Sequence, residues 1–208
     1  MRPRSAVLAA RGADGVMARF SALLDACVLV PVALADTLLR VAELGLYRPL
    51  WSSRILDETV VAIEEVHVDL PAGAALRRVE LMDKAFKDAS VGGWETLVPA
   101  INLPDPDDAH VLAAAVAGRA DAIVTANLKD FPEAVLNPFS IEAIGPDEFL
   151  LDQLDLAPDL VLKAVQRQAA DCRRPPIDLS ELLVHLAQCG VPMFAEAARA
   201  RQWRLGDA

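Results

Sequence analysis

From Phe20 to Ile144 the chain alternates short, nearly all-apolar runs with longer stretches whose apolar residues return at helical spacing. A short run that is apolar throughout suits a strand buried on both faces, and a helix between two such strands makes them parallel. Phe20 to Leu24 is the first run, and it ends in Asp25. Pro31 can open a helix carrying Leu34, Leu38, Leu39, Ala42 and Leu46, which Gly45 weakens and Pro49 stops. Leu50 and Trp51 suggest a second strand, and Ser52 or Ser53 can cap a helix striped by Ile55, Leu56, Val60, Ile63 and Val66. Pro71 can start a third helix, buried through Leu76, Val79, Leu81, Met82 and Phe86 and closed near Gly92 and Gly93. Thr96 to Ile101 reads as the third strand, Ala122 to Thr125 as the fourth and Phe139 to Ile144 as the fifth. The expected fold class is α/β, with a central parallel sheet between helical layers.

After Gly145 the alternation stops. Leu160 to Ala170, Leu179 to Cys189 and a segment from Pro192 to Trp203 read as helices, with Arg173, Arg174, Pro175 and Pro176 between the first two. The expected organisation is a loosely ordered N-terminal arm at 1–19, an α/β domain at 20–145 and a helical C-terminal region at 146–208. The C-terminal helices either pack on the sheet or mediate assembly. At 208 residues with 54% hydrophobic and 24% charged side chains, most of the chain packs into a folded interior. No apolar run approaches the roughly 18 residues of a membrane span, because Asp25, Asp36, Arg40, Asp108 and His110 break the most apolar stretches. The patch Ala6 to Ala10 is too short for a signal peptide core, so a cytoplasmic protein without membrane attachment is expected. Cys27, Cys172 and Cys189 are odd in number and form no CxxC pair, so they read as small core residues.

Thirty acidic residues against twenty basic ones give a net charge of −10, and residues 1–150 hold 22 of the acids against 13 bases. Such a surface repels nucleic acid at long range, so a nucleic-acid function needs local cations or a metal bridging carboxylate and phosphate. Ligands of parallel α/β sheets bind beyond the carboxyl ends of the strands. Asp25 falls there, as do Asp108 after the third strand and Thr125-Ala126-Asn127 after the fourth, with Glu58 a turn into the second helix. Asp105, Pro106, Asp107 and Asp108 also form a complete helix start, which by itself accounts for their acids. Carboxylates gathered in one cleft call for protonation or for a hard cation such as magnesium or manganese, and such an ion lets water attack a phosphodiester. His67, His110 and His185 lack metal-ligand spacing, read as surface or hydrogen-bonded residues and disfavour a zinc hydrolase. Arg173, Arg174 and Lys129 could touch RNA phosphates, whereas Trp51, Trp94 and Trp203 read as packing.

Ser21-Ala-Leu-Leu-Asp25-Ala-Cys-Val-Leu29, Ser53-Arg-Ile-Leu-Asp-Glu58, Asp107-Asp-Ala-His-Val-Leu-Ala-Ala-Ala115 and Ile123-Val-Thr-Ala-Asn-Leu-Lys-Asp-Phe131 resemble, in order and spacing, the four signatures of PIN-domain nucleases. Among these the chain is most similar to VapC-type toxin ribonucleases with an added C-terminal helical region. The resemblance implies a three-layer α/β/α domain acting as a Mg2+- or Mn2+-dependent endoribonuclease, the toxin of a type II toxin–antitoxin module. It implies RNA as substrate, a cognate antitoxin in the acidic groove, and a homodimer. Asp25 and Asp108 would be metal ligands, Glu58 a ligand or the group that orients water, and Asn127 the fourth catalytic position. The family often has Asp at that fourth position, so one tightly held ion is expected rather than two. Asp107, Thr125 and Asp130 would support them. Two other classes stay in view. Aspartyl-phosphate phosphatases need a second Asp where this chain has Cys27, and a receiver-like or partner-binding α/β domain would hold an acidic metal pocket without turnover.

Overall fold

The computed structural model describes residues 20–173 and 175–205; the expected arm at 1–19 and Arg174 lie outside them. The elements run β1 (Ser21–Leu24), α1 (Ala26–Leu29), α2 (Val32–Glu43), β2 (Arg48–Ser52), α3 (Ser53–Val66), α4 (Ala74–Ala85), β3 (Ser90–Val91), α5 (Ala109–Gly118), β4 (Ala122–Val124), α6 (Glu133–Leu136) and β5 (Glu142–Ile144). Four further helices follow: α7 (Pro146–Leu156), α8 (Pro158–Asp171), α9 (Leu179–Gln188) and α10 (Pro192–Ala200). All strand pairs are parallel, in the order β3-β2-β1-β4-β5. Ala22 of β1 lies between Pro49 of β2 and Ala122 of β4, at the centre of the sheet. The chain winds outward from β1 to β3, then returns to the other side of β1 as β4. That reversal puts the topological switch point between β1 and β4, and right-handed crossovers place α2 to α4 and α5 on opposite faces.

The core explains the strands. Ala22, Leu23, Leu24, Leu50, Trp51, Ile123 and Val124 are all fully buried, as apolar runs covered on both faces require. Helix α5 is buried along 109–115, since it lies against β1, β2, β3 and β4. It can approach closely because Gly118 has no side chain; a Cβ there would stand 2.8 Å from Val91 Cγ2. Arg119 then ends the helix in the left-handed region at φ 54°.

Several expectations need correction. Thr96 to Ile101 is no strand: Val98–Ala100 is a 3-10 turn entered through Pro99, which has no N–H to give a ladder, and the third strand is the short Ser90–Val91. Helix α4 starts at Ala74, not Pro71, after Gly73 at φ 71°. It buries Ala75 and Val79 and leaves Leu76 and Leu81 exposed, because it packs on α3 rather than against the sheet. Val66 on α3 is exposed as well. Only Glu142–Ile144 of the fifth expected strand is extended; Asn137–Phe139 is a 3-10 turn. Trp51 and Trp94 are buried, whereas Trp203 is 75% exposed beneath the Arg204 guanidinium, 5.3 Å from its ring centroid.

The helices from α7 onward dock beside α2, which faces α8 and α9. Thr37 Oγ1 donates to Gln168 Oε1 at 2.7 Å, Gln168 Nε2 donates to the Ala33 carbonyl at 2.9 Å, and both side chains are buried. Arg40 adds an ion pair to Asp171 at 2.9 Å. Among the described residues no helix is long and apolar enough to cross a membrane.

Candidate active site

Strand β1 ends by turning directly into α1, and Asp25 is the hinge. Its backbone N–H continues the sheet by donating to Val124, while its Oδ1 caps α1 by accepting from Ala26 N at 2.7 Å. Oδ2 accepts from Thr125 Oγ1 at 2.7 Å, across the switch point from the end of β4. Cys27 Sγ also donates to Oδ2 at 3.2 Å and accepts from Ala126 N at 3.3 Å. Asn127 N donates to Thr125 Oγ1 at 3.0 Å. This carboxylate, 6% exposed, is therefore held between two strand ends by groups separated by about a hundred residues in sequence.

Asp108 closes the short 3-10 turn Pro106–Asp108 that leads into α5, with Asp105 capping that turn through Asp107 N at 3.0 Å. Burial, then the charges of Asp25, Asp105 and Asp130, push the Asp108 carboxyl up to about 6, against a smaller opposing effect of His110. Asp25, Asp108 and Asp130 thus share one electrostatic neighbourhood. Asp107 is exposed, and Asn127 is exposed at the start of the 3-10 turn Leu128–Asp130. Lys129 is exposed beside Asp130, whereas Arg173 is exposed on the connection from α8 to α9.

Glu58 is held differently. Its Oε1 accepts from Arg54 Nε one turn earlier at 3.0 Å and from His110 Nε2 on α5 at 3.0 Å. Burial alone would raise this carboxyl, but the hydrogen bond and charge from His110, with those of Arg54, outweigh it and keep Glu58 below the ordinary range. The confusable neighbour Asp57 is exposed.

Sequence reasoning placed His110 among surface or hydrogen-bonded histidines and Cys27 in the core. His110 is 2% exposed and bonded to Glu58, two residues past Asp108. Cys27 is half-buried at the site itself, its thiol raised to about 12 by burial and then by the charge of Asp25. The one available signal was spacing: each stands two residues after a candidate acid, in a first helical turn.

A parallel β3-β2-β1-β4-β5 sheet, with Asp25 at the end of β1 bonded to Thr125 at the end of β4, defines the class. The PIN-domain profile matches residues 21–129, more than half of the chain, and the chain belongs to the PIN-domain family. Residues 146–200 match the profile described as the VapC50 C-terminal domain. The chain is also similar to a Mycobacterium tuberculosis protein named "Putative ribonuclease VapC50", with 44% identity over 107 residues. That match spans 51% of this chain and 62% of the relative. No solved structure matches.

Proposed function

We propose that this chain is a divalent-metal-dependent endoribonuclease, the toxin of a type II toxin–antitoxin pair. Its nuclease unit is 20–145 and its helical region 146–208. The observation that carries the reading is the Asp25–Thr125 junction at the switch point, with Asp108 near enough that burial, and then the charges of Asp25, Asp105 and Asp130, push its carboxyl up to about 6. Like charges assembled in a partly buried cleft are costly, and natural folds keep that cost where chemistry uses it.

A hard dication fits this donor set in kind, because the side chains offered are carboxylate, hydroxyl and amide oxygens. Among the described residues no three His, Cys, Asp or Glu side chains already form a metal cluster. Asp25, Asp108 and Glu58 are the residues that would hold the ion, with Asn127 offering a neutral oxygen. When bound, such an ion polarises a phosphoryl oxygen and lowers the pKa of a coordinated water. The protein supplies the rest. Thr125 and Cys27 bond Asp25, His110 and Arg54 bond Glu58, and Asp105 and Asp130 add charge around Asp108. A thiol pushed up to about 12 makes Cys27 a poor nucleophile, leaving attack to water.

RNA is the substrate in this reading, approaching a surface whose net charge otherwise repels it. The antitoxin is a basic protein whose Arg or Lys side chains enter the acidic cleft. The relative's name and the matched C-terminal profile support the VapC toxin class, and a homodimeric, cytoplasmic toxin belongs to the same proposal. The test is RNA cleavage by the wild type and by Asp25→Asn and Asp108→Asn, each with manganese, magnesium or EDTA. Metal-dependent cutting by the wild type, lowered roughly a thousandfold in both variants, is expected. Equal cleavage by all three proteins would overturn the assignment.

A further inference from the structure

Helix α5 contains one polar side chain within the buried stretch 109–115, and that is His110. Its Nδ1 is buried without a hydrogen-bond partner. The ring lies beside the buried Trp94, their centroids 6.0 Å apart at an interplanar angle of 59°. Burying an imidazole with one nitrogen unsatisfied costs more than burying a leucine of similar size. Stability therefore does not explain this residue, and its one polar contact is the donation from Nε2 to Glu58 Oε1 at 3.0 Å.

That contact joins two elements of the site. Glu58 stands on α3, and His110 stands on α5 two residues beyond Asp108. Arg54 also reaches Oε1, but it sits one turn away on the same helix with its side chain 45% exposed, so it cannot relate Glu58 to the rest of the cleft. Both donors use Oε1, and among the described residues none is bonded to Oε2. A carboxylate clamped through one oxygen keeps the other for a ligand, and partners that orient ligating carboxylates tune metal affinity.

We propose that His110 is a positioning residue that fixes the Glu58 carboxylate for the metal and for water. The inference rests on the nuclease reading above. It concerns the Nε2–H donor rather than the charge of the ring, so a donor at the same place will substitute for it.

The experiment compares His110→Leu, which removes the donor, with His110→Gln, whose amide N–H reaches a similar point. Each is measured for Mn2+ binding by titration calorimetry and for RNA cleavage. His110→Leu is expected to weaken Mn2+ binding and to lower kcat by about 10- to 100-fold, with KM for RNA unchanged. His110→Gln is expected to restore both to within about threefold of wild type, a margin well below that range. In a Glu58→Gln background, His110→Leu is expected to have no further effect, because the two residues act as a unit. The thermal midpoint of His110→Leu should equal or exceed that of wild type, which separates positioning from packing. Wild-type metal binding and turnover in His110→Leu would overturn the proposal, as would equal losses in the Leu and Gln variants. A wild type that binds Mn2+ but leaves RNA intact would refute the nuclease reading, and the shift in Mn2+ affinity would still decide the role of His110.

Discussion

Two buried polar clusters organise this protein, and they are built on opposite plans. Where α8 meets α2, Thr37, Gln168 and the Ala33 carbonyl satisfy one another, with no net charge among them. Beyond β1 and β4, the groups around Asp25 and Asp108 are also bonded, yet the charges of Asp25, Asp105 and Asp130 all oppose ionisation of Asp108. A closed neutral network is glue, because each donor finds an acceptor and nothing is left for a ligand. An assembly of like charges is the reverse: it costs stability and becomes favourable only when something cationic enters. Both clusters join chain segments about a hundred or more residues apart, so distance in sequence does not distinguish them. The balance of charge does.

The sharpest way to break this contrast is at Thr125. Its hydroxyl donates to Asp25 Oδ2 and accepts from Asn127 N, so Thr125→Val removes a restraint on the acid while nearly preserving volume. If the cluster is a working site, RNA cleavage falls roughly a hundredfold while circular dichroism shows a folded protein. A glue-like role would instead appear as lost stability with cleavage by the folded fraction unchanged.

Thr37 tests the other side. Thr37→Val leaves Gln168 Oε1 buried without its donor, which should cost about 1–3 kcal/mol in urea denaturation. Adding Gln168→Leu removes the orphaned amide and should recover most of that loss, since replacing both partners by apolar groups is nearly neutral. Cleavage per folded molecule should be unchanged in both. A catalytic defect in folded Thr37→Val would show that the helical region acts on the site, and the division into glue and site would fail.

How the sequence exposed these clusters follows from their physics. Asp25 was legible because a carboxylate directly after a buried apolar run has few structural reasons to be there, and because strand ends of a parallel sheet converge. Asp108 was legible only in part, since Asp105 does cap the turn before α5 and a helix start alone would explain the acids. His110 could not be assigned, because its partner Glu58 lies 52 positions earlier on another helix, and only the tertiary fold brings the two side chains together. The false strand at Thr96–Ile101 has the same root. Apolar residues there fill the space beside α5 from a 3-10 turn, and composition does not report that the edge of the sheet was already taken by Ser90–Val91. Thr37 and Gln168 were silent because a buried hydroxyl and amide carry no periodic signature.

The smallest effect expected is also the most direct test of uncompensated charge. In the metal-free protein the Asp108 carboxyl sits near 6, against an ordinary 3.8, chiefly through burial and then through Asp25, Asp105 and Asp130. Below an unfolded pKa of 3.8 the group is protonated in both states and folding loses nothing to it. As pH rises from there to about 6 the unfolded chain releases a proton that the folded chain retains, so stability falls; above about 6 the loss is complete. Asparagine cannot ionise, so Asp108→Asn should match wild type near pH 4 and exceed it at pH 8 in EDTA. Because Asp108 is half-exposed and solvent screens it, the gain should be on the order of 1 kcal/mol, read from urea midpoints. With saturating Mn2+ the order should reverse, since only the wild type keeps the full carboxylate set and ligand binding adds to its stability. If Asp108→Asn is instead the weaker protein in EDTA at pH 8, Asp108 is a structural cap, and the two clusters are built on one plan.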